Sequence, residues 1–176
     1  MRVTELDLAG VLLIEPAVHG DTRGFFLETW NEVRYAEHGI EGPFVQDNLS
    51  FSTRGSLRGL HFQEPHAQGK LVWVLAGGVF DVVVDVRCGS QAFGCWTGMD
   101  LSAENRRQLY VPPGYAHGFQ VTADHALFAY KCTDYWYPEC ERGVRWDDPD
   151  LGIPWPIAEP ILADKDRRYP ALAELP

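Results

Sequence analysis

Apolar and polar positions alternate in short runs along most of the chain, the two-residue period of half-buried strands. In Leu57-Arg58-Gly59-Leu60-His61-Phe62-Gln63 this period sends Arg58, Leu60 and Phe62 to one face and Leu57, Gly59, His61 and Gln63 to the other. Lys70 to Leu75 and Val79 to Val86 flank Ala76-Gly77-Gly78, a pattern that predicts a hairpin. In its second arm Phe80, Val82, Val84 and Val86 share one face and Asp81 and Asp85 the other, which predicts one core side and one partly wet side. Helix is confined to scraps: Asn31 to His38, closed by Gly39, reads as a short capped helix, and Ser102 to Arg106 as one turn. Many short strands punctuated by Gly and Pro predict an all-β barrel or sandwich. No linker interrupts the pattern, so residues 1–176 read as one domain, with a Pro-rich, irregular C-terminal arm after Trp146 that returns Lys165 and Asp166 to the mouth of the barrel.

Composition narrows the partners. The 176 residues are 45% hydrophobic and 12% aromatic, enough for a packed core. A net charge of -10 argues against nucleic acid or an anionic membrane as main partner. Val11-Leu12-Leu13-Ile14 is too short for a signal segment or a span, so a cytoplasmic location is the default. The four cysteines, Cys88, Cys95, Cys132 and Cys140, lack zinc-site spacing and read as packing thiols.

Against that acidity, the placement of Arg58, His61 and Lys70 stands out. A cation inside a sheet costs several kcal/mol unless it is paired or faces a wet cavity. Three basic side chains framing a strand therefore predict a pocket for a negatively charged ligand, with an edge strand of solvated charges as the alternative. Further along, Val111-Pro112-Pro113-Gly114-Tyr115-Ala116-His117 places a His just beyond a tight turn. That turn resembles the second motif of the cupin jelly rolls. Metal-binding cupins also need a His-x-His pair; here the residue two after His61 is Gln63, and Lys70 repels a metal, so the barrel reads as metal-free and needing no cofactor.

With Asp21-Thr22-Arg23-Gly24-Phe25-Phe26-Leu27-Glu28-Thr29, Phe44-Val45-Gln46-Asp47-Asn48, Phe128-Ala129-Tyr130-Lys131 and Asp164-Lys165-Asp166, these runs closely resemble the dTDP-4-dehydrorhamnose 3,5-epimerase family, from about Glu15 to Asp166. The resemblance implies a cupin-type jelly roll that inverts carbons flanking a ketone in a dTDP-linked 4-keto-6-deoxyhexose. It assigns His61 as base, with Asp166 behind it, Lys70 as donor to the enolate oxygen and Tyr130 as acid on the opposite face. Arg23, Glu28, Gln46, Asp47, Asn48, Arg58, His117, Trp136, Glu141 and Lys165 fall at substrate-binding positions. It also implies a homodimer in which an exchanged N-terminal strand carries Arg23 and Glu28 into the neighbouring site. His19 and Trp73 depart from the family pattern, where Phe and Arg are common.

From the residues alone the roles are less determined. Histidine titrates nearest to neutral pH, which suits a base. Lys70 fits a solvated lysine at a strand start equally well, and Tyr130 is one of seven tyrosines, chosen only by the Tyr-Lys motif. Nearby cations are expected to make the Tyr130 phenol more acidic. Asp166, within Lys165-Asp166-Arg167-Arg168, reads locally as a solvated charge. Three other functions stay open: a relative that inverts one carbon only, a metal cupin, and a non-catalytic sugar-nucleotide-binding cupin.

Overall fold

The computed structural model describes residues 1–175. The chain runs β1 (Arg2–Glu5), β2 (Leu12–Glu15), β3 (Val18–Asp21), β4 (Gly24–Leu27), α1 (Glu32–Ala36), β5 (Gln46–Thr53), β6 (Leu57–Gln63), β7 (Lys70–Asp85), β8 (Trp96–Ser102), β9 (Gln108–Val111), β10 (Tyr115–Cys132) and β11 (Glu141–Gly143). Nine strands form one antiparallel sheet in the order β1-β2-β9-β7-β10-β6-β11, with β5 added to β10 and β8 to β7. The β3–β4 hairpin stands apart.

Two long strands shape the barrel. β7 and β10 pair along their whole lengths, and both bend in the middle, where the register shifts between Val121 and Ala126. On one side of the bend β8, β6 and β11 extend the sheet; on the other, β9, β2, β1 and β5 do so. Val72, Val74, Leu109 and Phe128 from one half and Val79, Val83, Phe119 and Val121 from the other close a single inner core, the jelly-roll arrangement expected.

The expected hairpin at Ala76-Gly77-Gly78 is not formed. Gly77 has φ +76° and marks the bend in one continuous strand, and a Cβ there would overlap the His125 carbonyl oxygen. A bulge glycine and a turn glycine leave the same local trace, and here β10 supplies the pairing partner. The expectation of a wet face is also corrected. Asp81 and Asp85 are completely buried, because the face opposite Val82, Val84 and Val86 lines the barrel interior.

Helix α1 is short, with the Asn31 side chain accepting from the Arg34 N–H and Gly39 following at φ +78°. Ser102 to Arg106 forms a single hydrogen-bonded turn. The irregular arm after Val144 lays Leu151, Ile153, Trp155 and Leu172 over the outer face of Leu60, Val82, Val84 and Ala116. Each apolar side chain so buried contributes about 1.5–3 kcal/mol, which secures the arm's course back to the barrel mouth. Among the described residues no helix is long and apolar enough to cross a membrane.

Candidate active site

The barrel opens into a cavity of about 540 Å³. Its walls carry His61, Lys70, Tyr130 and Asp166 together with Gln46, Asn48, Arg58, His117, Trp136, Glu141 and Lys165. Residues widely separated in the chain thus converge on one space.

His61 lies on β6, flanked in the sheet by His117 of β10 and Gly143 of β11. A β-bulge sets its direction. His117 pairs with His61 and Phe119 with Arg58, so β6 spends one residue more than β10 between these pairs. The extra residue brings Arg58 and His61 to the same cavity wall and sends Leu60 to the outer core, which corrects the simple alternation that set Arg58 with Leu60.

Asp166, 2% exposed, sits in a tight turn closed by bonds from the Asp166 and Arg167 N–H groups to the Ala163 carbonyl. Its Oδ1 lies 2.6 Å from His61 Nε2. With the carboxylate accepting from Nε2–H, Nδ1 is left as the basic nitrogen. Burial lowers the His61 pKa from its ordinary value, partly offset by Asp166, so the imidazole is neutral near neutral pH.

Lys70 and Tyr130 come from the half of the barrel opposite His61. Lys70 opens β7, facing Cys132 and Val111 across the sheet, and its Nζ donates to the His61 carbonyl oxygen at 3.4 Å. Burial lowers its pKa, while Cys132, Glu141 and Asp81 work against the shift. Tyr130 lies between Asn48 of β5 and Val72 of β7. Burial raises its pKa and outweighs the Arg58 cation, so the expectation of a more acidic phenol is wrong: Tyr130 holds its proton more firmly than a free phenol.

The mouth is built from β5, β11 and the arm. Gln46 accepts from the Trp136 N–H at 2.9 Å and donates to Asn48 Oδ1 at 2.9 Å. Glu141 accepts from Lys165 Nζ at 2.6 Å, Tyr169 OH at 2.9 Å and Trp136 Nε1 at 3.1 Å. Burial opposes its ionisation, but these bonds prevail and hold its pKa at about 2. Arg58 is steadied by Ser52 Oγ at 2.9 Å.

Three expected site residues lie elsewhere. Asp47 points to the outer face of β5, where it accepts from Lys131 Nζ at 2.8 and 3.0 Å. Arg23, at the tip of the β3–β4 hairpin, is bonded to Asp21, and Glu28 pairs with Arg34 at 3.1 Å. The sequence reading overlooked Asp81 and Tyr169. Asp81 receives His117 Nε2 at 2.9 and 3.0 Å, a buried second His–Asp pair, and burial raises its pKa. Only the spacing Val79-Asp81-Val83 could have placed Asp81 on the inner face; nothing in sequence joins it to His117. Among the described residues no group of three or more His, Cys, Asp or Glu is placed to hold a metal ion.

Comparison with known proteins identifies the family of the chain. The family model for dTDP-4-dehydrorhamnose 3,5-epimerase matches residues 5–174. The chain belongs to the dTDP-4-dehydrorhamnose 3,5-epimerase family. It is 52% identical to the dTDP-4-dehydrorhamnose 3,5-epimerase of Pseudomonas aeruginosa, over 99% of this chain and 97% of that one. The Methanothermobacter thermautotrophicus enzyme of the same name is 49% identical, over 99% and 96%. A crystal structure of the Legionella pneumophila dTDP-6-deoxy-D-glucose-3,5-epimerase in complex with dTDP-4-keto-L-rhamnose superposes with a TM-score of 0.96 at 49% identity, covering 99% of this chain and 94% of that one. The cupin-type barrel of this family is thus the fold observed.

Proposed function

We propose that the protein converts dTDP-4-dehydro-6-deoxy-D-glucose to dTDP-4-dehydro-L-rhamnose, inverting C3 and C5. The observation that carries this reading is the hydrogen-bonded His61–Asp166 pair on one half of the barrel, facing a cavity whose other half supplies Lys70 and Tyr130. Both carbons neighbour the C4 ketone. His61 Nδ1 takes the proton, and the bonding pair flows into the carbonyl to form an enolate. Lys70 holds the developing oxyanion, an interaction typically worth about 3 kcal/mol of barrier. Tyr130 then gives a proton to the opposite face, and the carbonyl re-forms. Solvent returns a proton to Tyr130 and accepts the one on His61 before the second carbon reacts.

The rest of the cavity fits the nucleotide diphosphate portion of such a substrate. Arg58 and Lys165 supply cations for a diphosphate, which guanidinium forks bind in two-pronged fashion. Trp136, half exposed beside Gln46, offers a face for the nucleobase, and Asn48, His117 and Glu141 offer hydrogen bonds. Turnover requires no metal, because Gln63 and Lys70 occupy positions where metal cupins carry ligands. A biosynthetic role on a soluble sugar nucleotide fits the cytoplasm.

Arg23 and Glu28 reach a site only in a partner subunit. The exposed Phe25 and Phe26 on their hairpin and the exposed Leu49, Phe51 and Leu75 on the outer sheet face are the apolar surface a homodimer would cover. Arg58→Ala and Arg23→Ala are each expected to raise KM about 10- to 100-fold with kcat held, since a charged hydrogen bond acts on ground and transition states alike. An unchanged KM for Arg23→Ala, or a monomer in sedimentation at assay concentration, would remove the exchanged arm from the site.

The deciding experiment is incubation with the 4-keto sugar nucleotide in heavy water, with and without a chelator, followed by NMR. Deuterium is expected at both C3 and C5 under either condition. Incorporation at one carbon marks a mono-epimerase, none at all marks a binding protein, and loss on chelation overturns metal-free turnover.

A further inference from the structure

We propose that Tyr169 is a positioning residue for His61, its ring seated over Gly143 so that the imidazole is held in plane against Asp166. This rests on His61 being the base.

Asp166 leaves the imidazole one freedom. One hydrogen bond at Nε2 fixes a point on the imidazole but lets the ring pivot about the line to Oδ1, and Nδ1 swings with it. A second contact away from that line is needed to stop the pivot. Tyr169 supplies it: its ring centroid lies 5.5 Å from that of His61 at an interplanar angle of 66°, an edge-to-face contact.

The neighbourhood is shaped to receive this ring. Gly143 is the residue directly across the sheet from His61. A Cβ at Gly143 would lie 2.7 Å from each of three Tyr169 ring atoms, nearer than any side chain tolerates. The hydroxyl is anchored as well, donating to Glu141 Oε1 at 2.9 Å, and burial followed by that carboxylate pushes its pKa up, so it remains a donor. Just beyond, the Pro170 carbonyl accepts from the Arg145 N–H at 2.9 Å. Glu141 thus grips the arm through both Lys165 and Tyr169, one on each side of Asp166. The two groups that orient the base are delivered by the same short turn.

Tyr169→Ala is expected to lower kcat about 10- to 100-fold, the scale of a misaligned catalytic group, with KM within about 3-fold of wild type. Tyr169→Phe keeps the ring and is expected to keep kcat within about 3-fold. Gly143→Ala, which displaces the ring, should resemble Tyr169→Ala, and the double variant should be no worse than Tyr169→Ala alone. Opening the imidazole to water in Tyr169→Ala should also move the acid limb of kcat upward, toward the ordinary histidine value. None of the other charged and titratable groups around His61 is substituted in these variants, namely Asp166 and Lys165 on the arm, Lys70 on β7, His117 on β10, Glu141 on β11 and Arg58 on β6. Glu141 loses the Tyr169 hydroxyl in both Tyr169 variants and has Lys165 and Trp136 as its other donors. Nitrogen NMR of the His61 ring reads its tautomer and pKa without reference to turnover. If wild type fails to exchange substrate protons, the functional reading falls while the ring signals still report on Tyr169. Folded Tyr169→Ala with wild-type kcat and unchanged ring signals would overturn the proposal, as would Tyr169→Phe losing as much as Tyr169→Ala, which would transfer the effect to the hydroxyl and Glu141.

Discussion

Replacing His61 by Asn is expected to stop proton exchange at both C3 and C5, with a loss of about 10²–10⁴-fold, the usual contribution of a general base. The amide retains a polar group beside Asp166, 2.6 Å from Nε2 in the native protein, and is shorter than imidazole, so the fold is preserved while the basic nitrogen is lost. Both carbons should fail together, because His61 serves as the base for both, while the second pair, His117 with Asp81, is buried. In the native enzyme the pH profile should carry the same signature. Burial, only partly offset by Asp166, lowers the His61 pKa from its ordinary 6.5, so the neutral base persists below that pH. The acid limb of kcat/KM should therefore fall below 6.5 and disappear in His61→Asn. Circular dichroism first establishes that the variant is folded, and deuterium incorporation by NMR then gives the rate. A folded His61→Asn that exchanges normally places the base elsewhere and ends this mechanism.

The strands around His61 were legible as strands from their apolar, β-prone runs, although burial along β6 and the beginning of β7 departs from a strict two-residue period. What the period does not encode is a defect in pairing. The single extra residue between Arg58 and His61 reverses the relation between their faces, and it exists only relative to β10. Gly77 hid its role for the same reason: strand bend and strand reversal both call for a glycine with positive φ, and the difference lies in whether β10 or β7 itself is the neighbour. Asp47 was decidable from sequence, since Gln46 and Asn48 cannot share a strand face with the residue between them. Asp81 was read as wet because a carboxylate in a strand is expected to face water, and its burial depends on His117 from another strand. Asp166 came only through the family resemblance. Its turn is held by an arm without periodic pattern, docked by Leu151, Trp155 and Leu172 against the outer sheet, and no local rule connects that packing to His61.

Tyr130→Phe is expected to separate two events that the native enzyme couples, with solvent exchange outlasting inversion. Abstraction needs the base and the oxyanion donor, and both His61 and Lys70 remain. Inversion also needs a proton delivered from the opposite half of the barrel, where Tyr130 stands between Asn48 and Val72. Burial raises the phenol pKa despite Arg58, so near neutral pH the native side chain is a proton carrier rather than a phenolate, the form an acid must have. Phe keeps the ring in its place beside Phe128 and removes the transferable proton alone. The enolate then forms and is quenched from the His61 side, which exchanges hydrogen for deuterium while restoring the original configuration. Inverted product should fall by about 10²–10⁴-fold, and label in recovered, uninverted substrate should fall by much less. A coupled reductase assay reads the first quantity, and NMR of recovered sugar nucleotide in heavy water reads the second. Equal losses in both would mean that the hydroxyl assists enolate formation itself, and inversion at the native rate would show that the opposite-face proton comes from another donor.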